Sequence, residues 1–487
     1  MSSGGERIIK KNTLYNTIKS LFSVLFPLIT LPYVSRVLMA ENLGKINFGL
    51  SIVGYASLIA SLGISTYAIR ECSRVKDDKD ELNKVASQIF TINFFTTIFA
   101  YVVLLIILVF VKPLENYRVL IIIQSTTILF NTIGADWINS AMEDFKYITI
   151  RTVAAQLVSL VLMFIFVHRP EHYLIYAIIC VVSASAANVF NFFYRRKYCR
   201  IKLVSKIDLK KHIAPILLLF SLLLSQTIFV NSDITILGLI KGDFETGLYS
   251  ISVKFYTIVK TIVASVAFVV LPQLSYYFKE QNKEEVARIL KYSMNFIIVL
   301  GFPCIVGLNG VASSLIYVVS GKEYLGAALS LHILTFALVF SFLGGWVGNM
   351  ILIPSNKEKV FLLSNAIAAI LNLILNLILI PHYGLNAAAL TTVISEAVGF
   401  LIMAPFVKEF LFIKGFLKMI LSPFLGCLII ATICIVCNLF IDSYYIIFAV
   451  TIPTSILFYF LFLLLMKNEI VMGYVTPLIN RVKNRKK

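Results

Sequence analysis

Apolar stretches of helical length recur along the whole chain and alternate with short polar connectors. An α-helix rises 1.5 Å per residue, so about 20 apolar residues cross a hydrocarbon core of about 30 Å. The stretches are 14–38, 46–69, 88–111, 117–139, 148–167, 173–194, 213–240, 247–274, 293–314, 325–353, 359–380, 384–406, 419–441 and 444–466. The pattern predicts an all-α polytopic membrane protein with about fourteen transmembrane helices.

Helices are the only spanning structure that fits these stretches. Every backbone amide inside a bilayer must be hydrogen-bonded within the protein, which leaves helices and closed β-barrels. Barrel strands alternate lipid-facing apolar residues with polar ones over about ten positions. The run from Tyr101 to Val111 is apolar throughout, and the whole chain is 59% hydrophobic with a mean hydropathy of +0.89. The composition therefore favours helices.

Basic residues fix the expected orientation. Most of the 43 lysines and arginines fall on every second connector, with dense groups at 70–84, 195–211 and 481–487. Cytoplasmic connectors carry such an excess, so both termini are predicted to be cytoplasmic. The formal net charge of +18 then reports membrane topology, and nucleic acid is not an expected partner.

Weak internal repetition suggests two lobes. Glu41–Gly44 follows the first span and Phe244–Gly247 follows the seventh, and the two tryptophans, Trp137 and Trp346, fall in spans four and ten. Transporters are often built from repeated bundles. We predict an N-terminal lobe at 1–194, a basic cytoplasmic linker at 195–212, a C-terminal lobe at 213–406, and two further helices with a basic tail at 407–487.

The connectors argue against catalysis. The outer links, such as Asp442–Ser443, are too short to hold a glycan acceptor, and the chain has no Gly-x-x-x-x-Gly-Lys-Ser/Thr sequence for ATP. His168 and His172 are four residues apart, but Pro170 lies between them and no third ligand is near. We therefore expect neither an enzyme, nor a cofactor, nor a metal site.

Several segments resemble one family. These are residues 31–38 (LPYVSRVL), 41–44 (ENLG), 62–65 (LGIS) and 142–147 (MEDFKY). They are similar to the polysaccharide repeat-unit flippases of the multidrug/oligosaccharidyl-lipid/polysaccharide exporter superfamily. The resemblance extends over the chain in length, number of spans and orientation, and it is strongest over the first 150 residues.

The resemblance implies both a fold and a function. The fold is a V-shaped, MATE-like pair of six-helix lobes in a bacterial cytoplasmic membrane. The function is alternating-access transfer of an undecaprenyl-pyrophosphate-linked oligosaccharide to the outer leaflet, for O-antigen, capsule or exopolysaccharide synthesis. Membrane lipids and other polysaccharide assembly proteins are the further partners. Two alternatives stay open: a multidrug cation antiporter of the same fold, and a membrane glycan polymerase or glycosyltransferase.

Cations inside the spans are the candidate pyrophosphate ligands, because a charged group there is costly unless it faces a cavity or a partner. Lys19 shares a helical face with Asn16, and Lys254 shares one with Thr257 and Thr261. Arg36 lies near the end of its span, where an interfacial position is an equally good interpretation. The predicted contacts are Lys19, Arg36, Lys254 and Lys260.

Amides inside the spans are the candidate glycan ligands, because they both donate to and accept from hydroxyl groups. The predicted residues are Asn16, Gln124, Asn131, Asn188, Asn365, Asn372 and Asn376. Hydrogen bonding between helices is the competing interpretation for each of them.

Three acidic residues also lie in or beside the spans. Asp233 and Glu396 are candidates for coupling to H⁺, to Na⁺ or to the membrane potential, and the sequence does not choose among these. Asp136 and Arg151 flank one short connector and are predicted to form a structural ion pair.

Overall fold

The computed structural model describes residues 3–407, 416–473 and 475–477, and every regular element within them is helical. The predicted basic group at 481–487, and parts of the predicted segment 407–487, lie outside the described residues. The chain divides into two compact units, Met1–Gly247 and Leu248–Lys487. The lobe boundaries expected from the sequence, which assign 213–240 to the second lobe, stay a prediction.

The first unit is built around a long N-terminal helix. Its helices are α1 (Ser3–Ser61), α2 (Ile64–Arg74), α3 (Lys79–Phe110), α4 (Arg118–Gly134), α5 (Trp137–Ala141), α6 (Phe145–Phe166), α7 (Tyr173–Tyr194) and α8 (Leu209–Ile240). Helix α1 packs against α3, α4, α6 and α8, and α4 packs against α7. The unit is thus a bundle in which α1 touches most of its neighbours.

The second unit begins within a helix that follows Gly242. Its helices are α9 (Asp243–Lys279), α10 (Lys283–Gly310), α11 (Ala312–Ser320), α12 (Ala328–Val347), α13 (Glu358–Met403), α14 (Phe416–Phe440) and α15 (Tyr444–Leu465). Helix α12 packs along α13, while α10 joins α12 to α14 and α15 packs on α14.

Two of the long helices contain a backbone break. In α1 the break lies at Met39 (φ 65°, ψ 170°), at the connector expected between the first two spans. The dihedral angles stay helical at Pro27 and Pro32. In α13 the break lies at Gly384 (φ 56°, ψ −136°), where glycine avoids the strain that a side chain meets at positive φ. Each helix therefore consists of two helical segments that meet at a sharp turn.

Ten helical stretches of the described residues are long and apolar enough to cross a membrane by length and composition. Two of them, Leu14–Arg74 and Glu358–Val407, contain the breaks. Large apolar side chains on their outer surfaces are exposed, as in Phe110 (78%) and Phe440 (82%). Such faces suit a lipid solvent and would be unstable in water.

The segment between α7 and α8 lies along α3 in an ordered way. Backbone N–H groups of Arg200, Lys202 and Val204 donate to the side-chain oxygens of Asn83, Ser87 and Thr91, respectively, at 2.7, 3.1 and 3.1 Å. These acceptors are four residues apart, so they form one stripe on α3. Polar residues on one face of α3 thus satisfy the backbone of an extended segment.

Candidate functional site

A polar cavity of about 350 Å³ lies within the first unit. Helices α1, α2, α3, α4, α6 and α7, together with the start of α5, supply its walls. The lining residues are Lys19, Ser57, Ala60, Ser61, Ser65, Asn93, Ile128, Asn131, Thr132, Asp136, Trp137, Arg151, Thr152, Ser183, Ala184, Ala187 and Asn188. Hydroxyl, amide and charged groups outnumber apolar ones, which is unusual for a membrane-embedded interior.

Arg151 provides the most buried charge of this cavity. Its side chain is only 6% exposed, and its Nη2 donates to Asp136 Oδ1 at 2.5 Å. The ion pair predicted from the sequence is therefore confirmed. Nε and Nη1 of the same guanidinium are buried and have no hydrogen-bond partner among the described residues. Burying such donors without acceptors costs about 1–3 kcal/mol each.

Aromatic rings hold the Arg151 side chain in place. The guanidinium carbon lies 5.3 Å from the centroid of the Tyr147 ring, one helical turn earlier on α6. Tyr147 in turn stacks on Tyr194 of α7, with centroids 3.5 Å apart and an angle of 10° between the planes. A cation over an aromatic face gains about 0.5–2 kcal/mol, so the position of the guanidinium is well defined.

Lys19 reaches the same cavity from α1. Thr149 Oγ1 of α6 donates to the backbone oxygen of Tyr15 at 2.9 Å, which ties the two helices together one turn before Lys19. The ion pairs found among the described residues do not include Lys19. Lys19 therefore places at the cavity wall an amine that forms no ion pair with a carboxylate among the described residues.

Asparagines form the side of the cavity between α4 and α7. Asn188 Nδ2 donates to Asn131 Oδ1 at 2.6 Å, and Asn191 Nδ2 donates to the backbone oxygen of Gly134 at 2.8 Å. On α3, Asn93 Nδ2 donates to the backbone oxygen of Ala60 at 2.9 Å. These bonds join the helices and also place amides at the cavity wall.

The sequence-predicted residues of the first unit divide into two groups. Lys19, Asn131 and Asn188 line the cavity together. Gln124 is 1% exposed and donates to the backbone oxygen of Ile46 at 3.0 Å, which is a bond between helices. Asn16 and Arg36 are exposed and do not line the cavity, and Asp233 is 5% exposed. Their proposed roles stay predictions.

The predicted residues of the second unit form two clusters of their own. Lys260 Nζ lies 2.7 Å from Glu396 Oε1, and the Tyr256 hydroxyl donates to the same oxygen at 3.1 Å. Asn376 Nδ2 donates to Asn372 Oδ1 at 3.0 Å. Lys254 and Asn365 are exposed. A predicted anion ligand and a predicted coupling acid are thus ion-paired with each other.

Sequence reasoning missed Arg151, Asp136, Asn93 and Trp137 as cavity residues. Arg151 was predicted only as the structural partner of Asp136, because it stands near a basic helix end, where arginine ordinarily anchors a helix at the interface. A signal for Asn93 existed, because it is an isolated amide in an apolar helix. No metal centre is formed within residues 3–407, 416–473 and 475–477, where no three His, Cys, Asp or Glu side chains come together.

A tyrosine cluster at the start of α6 supports the cavity from outside the spans. Asp144 caps α6 and accepts hydrogen bonds from the hydroxyls of Tyr194 and Tyr198, at 2.7 and 2.6 Å. Burial raises the pKa of the Asp144 carboxyl, but the bonds from Tyr198, Tyr194 and the Tyr147 amide outweigh it and leave the pKa below its usual range. Burial first, and then the bond to Asp144, raise the pKa of Tyr198.

The helical bundle has the fold of the lipid II flippase MurJ and of MATE transporters. Lipid II flippase MurJ in an inward closed conformation superposes with a TM-score of 0.76, over 94% of this chain and 100% of that chain, at 18% identity. A multidrug resistance MATE family transporter in an inward-facing conformation gives a TM-score of 0.59, over 80% of this chain and 98% of that chain, at 14% identity.

Sequence comparison then identifies the family. The family model described as "Polysaccharide biosynthesis protein" matches residues 9–278, more than half of the chain, and the protein belongs to this family. The resemblance seen in the sequence is confirmed.

Two curated relatives match most of the chain. The capsular polysaccharide biosynthesis protein CapF of Staphylococcus aureus is 27% identical over 408 residues, which is 82% of this chain and 99% of that protein. A putative O-antigen transporter of Shigella dysenteriae is 24% identical over 411 residues, 82% of this chain and all of that protein.

Proposed function

We propose that the protein is a flippase for undecaprenyl-pyrophosphate-linked oligosaccharides, which it moves by alternating access from the inner to the outer leaflet of a bacterial cytoplasmic membrane. The observation that carries this proposal is the cavity of the first unit. It combines Lys19 and Arg151 with amides and hydroxyls in a protein whose exposed faces are apolar. The relatives named for capsule synthesis and O-antigen transport support the same assignment.

The chemistry of the substrate matches the groups of the cavity. A diphosphate diester carries two negative charges, which arginine and lysine bind through charge-assisted hydrogen bonds. A sugar chain offers hydroxyls, which asparagine and serine bind in both directions. Arg151 has two N–H-bearing nitrogens without partners among the described residues, and phosphate oxygens would satisfy them. We therefore assign the diphosphate to Lys19 and Arg151, and the sugars to Asn131 and Asn188.

The expected topology has fourteen crossings with both termini cytoplasmic. Dividing α1 and α13 at Met39 and Gly384 raises the ten candidate stretches to twelve. Helix α4, with 17 residues, and α9, with 37, supply the other two. Single cysteines placed at 195–212 can be labelled with reagents added on one side of the membrane at a time, which tests this orientation. Labelling from the outside would show that the orientation is the reverse of the expected one.

Transport rather than catalysis fits the site best. A multidrug cation antiporter needs a net negative cavity, whereas two of the three charged lining residues described here are basic. A polymerase or glycosyltransferase needs an extended water-facing loop, but α14 and α15 are joined by only Ile441–Ser443. We propose that the protein is not an enzyme. Coupling through Asp233 or Glu396 stays part of the proposal.

Deletion of the gene in its own host tests the function. We expect loss of surface polysaccharide, with lipid-linked repeat units accumulating in the inner leaflet, and restoration by the wild-type gene. Normal polysaccharide together with increased sensitivity to cationic drugs would contradict the flippase function and support a cation antiporter instead.

A further inference from the structure

The charges of the cavity do not balance those of the proposed substrate. Among the described residues that line it, three carry a charge: Lys19, Arg151 and Asp136. Two positive charges and one negative charge give a net charge of +1. A dianionic diphosphate diester would change this to −1, and one negative charge would then lack a counter-charge beside the buried guanidinium of Arg151. One more positive charge is needed for balance.

Asp136 is the group in this cavity that can supply the balance. Its side chain is 37% exposed, whereas that of its partner Arg151 is 6% exposed, so the carboxylate is the accessible member of the pair. The other hydrogen bond found for its carboxylate among the described residues is a long one from Asn139, at 3.4 Å. Asp136 is therefore held to the guanidinium by one short contact rather than by a network.

The surrounding groups leave Asp136 as the proton acceptor. From the neighbouring elements, Lys19 of α1 and Arg151 and Tyr147 of α6 lie near it. Helix α2 packs against α5 and contributes Tyr67 and Cys72, which share a buried cluster with Trp137. The ordinary pKa values of phenols and thiols lie above about 8, so such groups already carry a proton at neutral pH and cannot accept another.

The one acidic residue of α2 is already neutralised. Glu71 is ion-paired with Arg70 and Arg74, at 3.2 and 3.0 Å. Helices α4 and α7 present only neutral residues to the cavity, among them the amides Asn131 and Asn188. No second carboxylate among the described lining residues competes with Asp136 for a proton.

We propose that Asp136 takes up one proton when the dianionic headgroup binds, so that substrate binding to this cavity is linked to protonation. The proposal rests on the proposed function. In the unloaded state, the carboxylate occupies Arg151 as an internal counter-ion. Phosphate oxygens become the acceptors of the guanidinium at Nη2 as well as at Nε and Nη1, and the displaced carboxylate takes a proton from the buffered solvent, which leaves the conjugate base of the buffer. The loaded cavity is then electrically neutral.

The proposal predicts that the pH dependence of binding differs between substrates with one negative charge and substrates with two. A monoanionic phosphodiester already brings the cavity to neutrality without a proton, so its binding should not depend on pH between about 6 and 8. A dianionic diester needs the proton, and one linked proton changes the dissociation constant by up to about tenfold per pH unit. The stoichiometry of proton uptake therefore reports whether the charge count is correct.

Calorimetry on the purified full-length protein in lipid nanodiscs tests the linkage. The probes are a farnesyl-diphosphate-linked glucose, with two charges, and the matching farnesyl-phosphate-linked glucose, with one. Titration in two buffers of different ionisation enthalpy gives the protons taken up. For the wild-type protein we expect proton uptake when the diphosphate probe binds, and none when the monophosphate probe binds.

Two variants locate the proton. Asp136→Asn should abolish the uptake and make the dissociation constant of the diphosphate probe independent of pH, at least about tenfold tighter than wild type at about pH 8. Glu284→Gln removes an exposed acid of the second unit that lies outside the cavity, and it should leave the uptake unchanged. Uptake that persists in Asp136→Asn, or that disappears in Glu284→Gln, would overturn the inference.

The calorimetry distinguishes a failure of the proposed function from a failure of the proposed proton uptake by Asp136. If the diphosphate probe does not bind the wild-type protein, the proposed function of this cavity is wrong. If it binds but takes up no proton, only the role of Asp136 is wrong. The comparison of the two probes on wild-type protein requires no variant, so it holds even where Asp136→Asn does not fold.

Discussion

At the scale of single residues, the pairing of buried charges decides what the cavity can bind. Arg151 is fixed by Asp136 on one nitrogen and by the ring of Tyr147 beneath it. Removing one partner of a buried ion pair leaves the other charge buried without a counter-charge. This destabilises the protein more than replacing both partners by apolar side chains does. Lys19 is less constrained, since it lies half-buried on α1.

Asp144 shows the same logic outside the spans, and its effect on stability can be measured. Asp144→Ala leaves the hydroxyls of Tyr194 and Tyr198 without their shared acceptor. We expect the free energy of unfolding at neutral pH to fall by about 2 kcal/mol, as for other hydrogen bonds to charged groups. Chemical denaturation in detergent measures this loss, and Asp144→Asn, which keeps an acceptor oxygen, should lose less.

The pH dependence of that difference has a definite sign. The folded-state pKa of Asp144 is below its ordinary value, so the carboxylate stabilises the fold above an unfolded pKa of about 3.9. The stabilisation is lost as the pH falls through the lower, folded-state pKa. The gap between wild type and Asp144→Ala should therefore close below about pH 4. A gap that widens on acidification would contradict the assignment.

At the scale of elements, the cavity depends on how closely α4 approaches α7. A Cβ atom built on Gly134 would lie 2.6 Å from the Cβ of Asn188, and Asn191 donates to the backbone oxygen of the same glycine. The absence of a side chain thus lets the amides of α7 reach the wall of the cavity. This close contact lies beside Asn131 and Asn188, which form one side of the proposed site.

Gly134→Ala should separate the two helices. We expect a loss of about 1–3 kcal/mol in unfolding free energy from overpacking, together with weaker binding of the diphosphate probe. Gly307→Ala in α10 is the matched control, since nothing lies within 4 Å of its added Cβ. Equal stability and binding for both variants would mean that the α4–α7 contact does not shape the cavity.

The contact between α4 and α7 shows which part of the site could be predicted from the sequence and which part could not. Hydrophobic patterning predicted helices because lipid requires every backbone group to be bonded within its own segment. In-membrane polarity selected Lys19, Asn131 and Asn188 because polar groups there need a cavity or a partner. It did not separate them from Gln124, whose amide bonds the backbone of α1, because side-chain partners follow from packing between distant segments.

The sequence predicted the ion pair of Arg151 with Asp136, but it did not place that pair in the cavity. Arg151 is the seventh residue of α6, close to a basic connector, where arginine ordinarily anchors a helix at the interface. Only the folded chain shows that the guanidinium lines the cavity and lies over the ring of Tyr147. The break in α1 at Met39, by contrast, falls at the connector that the hydrophobic pattern predicted between the first two spans.

At the scale of the whole molecule, the protein is a member of a polysaccharide biosynthesis family with the fold of known lipid and drug carriers. The fold alone does not choose between those cargoes. The choice rests on the cavity, where two cations and several amides surround one acid among the described residues. We infer a lipid-linked, dianionic glycan as the cargo.

Transfer of a fluorescent undecaprenyl-diphosphate-linked oligosaccharide between the leaflets of liposomes tests this claim most directly. Wild-type protein should move the label to the opposite leaflet, and Arg151→Gln should slow transfer about 10–100-fold, the equivalent of one lost charge-assisted contact. Arg288→Gln, which alters an exposed arginine outside the cavity, should transfer at the wild-type rate. Transfer no faster than in empty liposomes, or an unimpaired Arg151→Gln, would contradict the account.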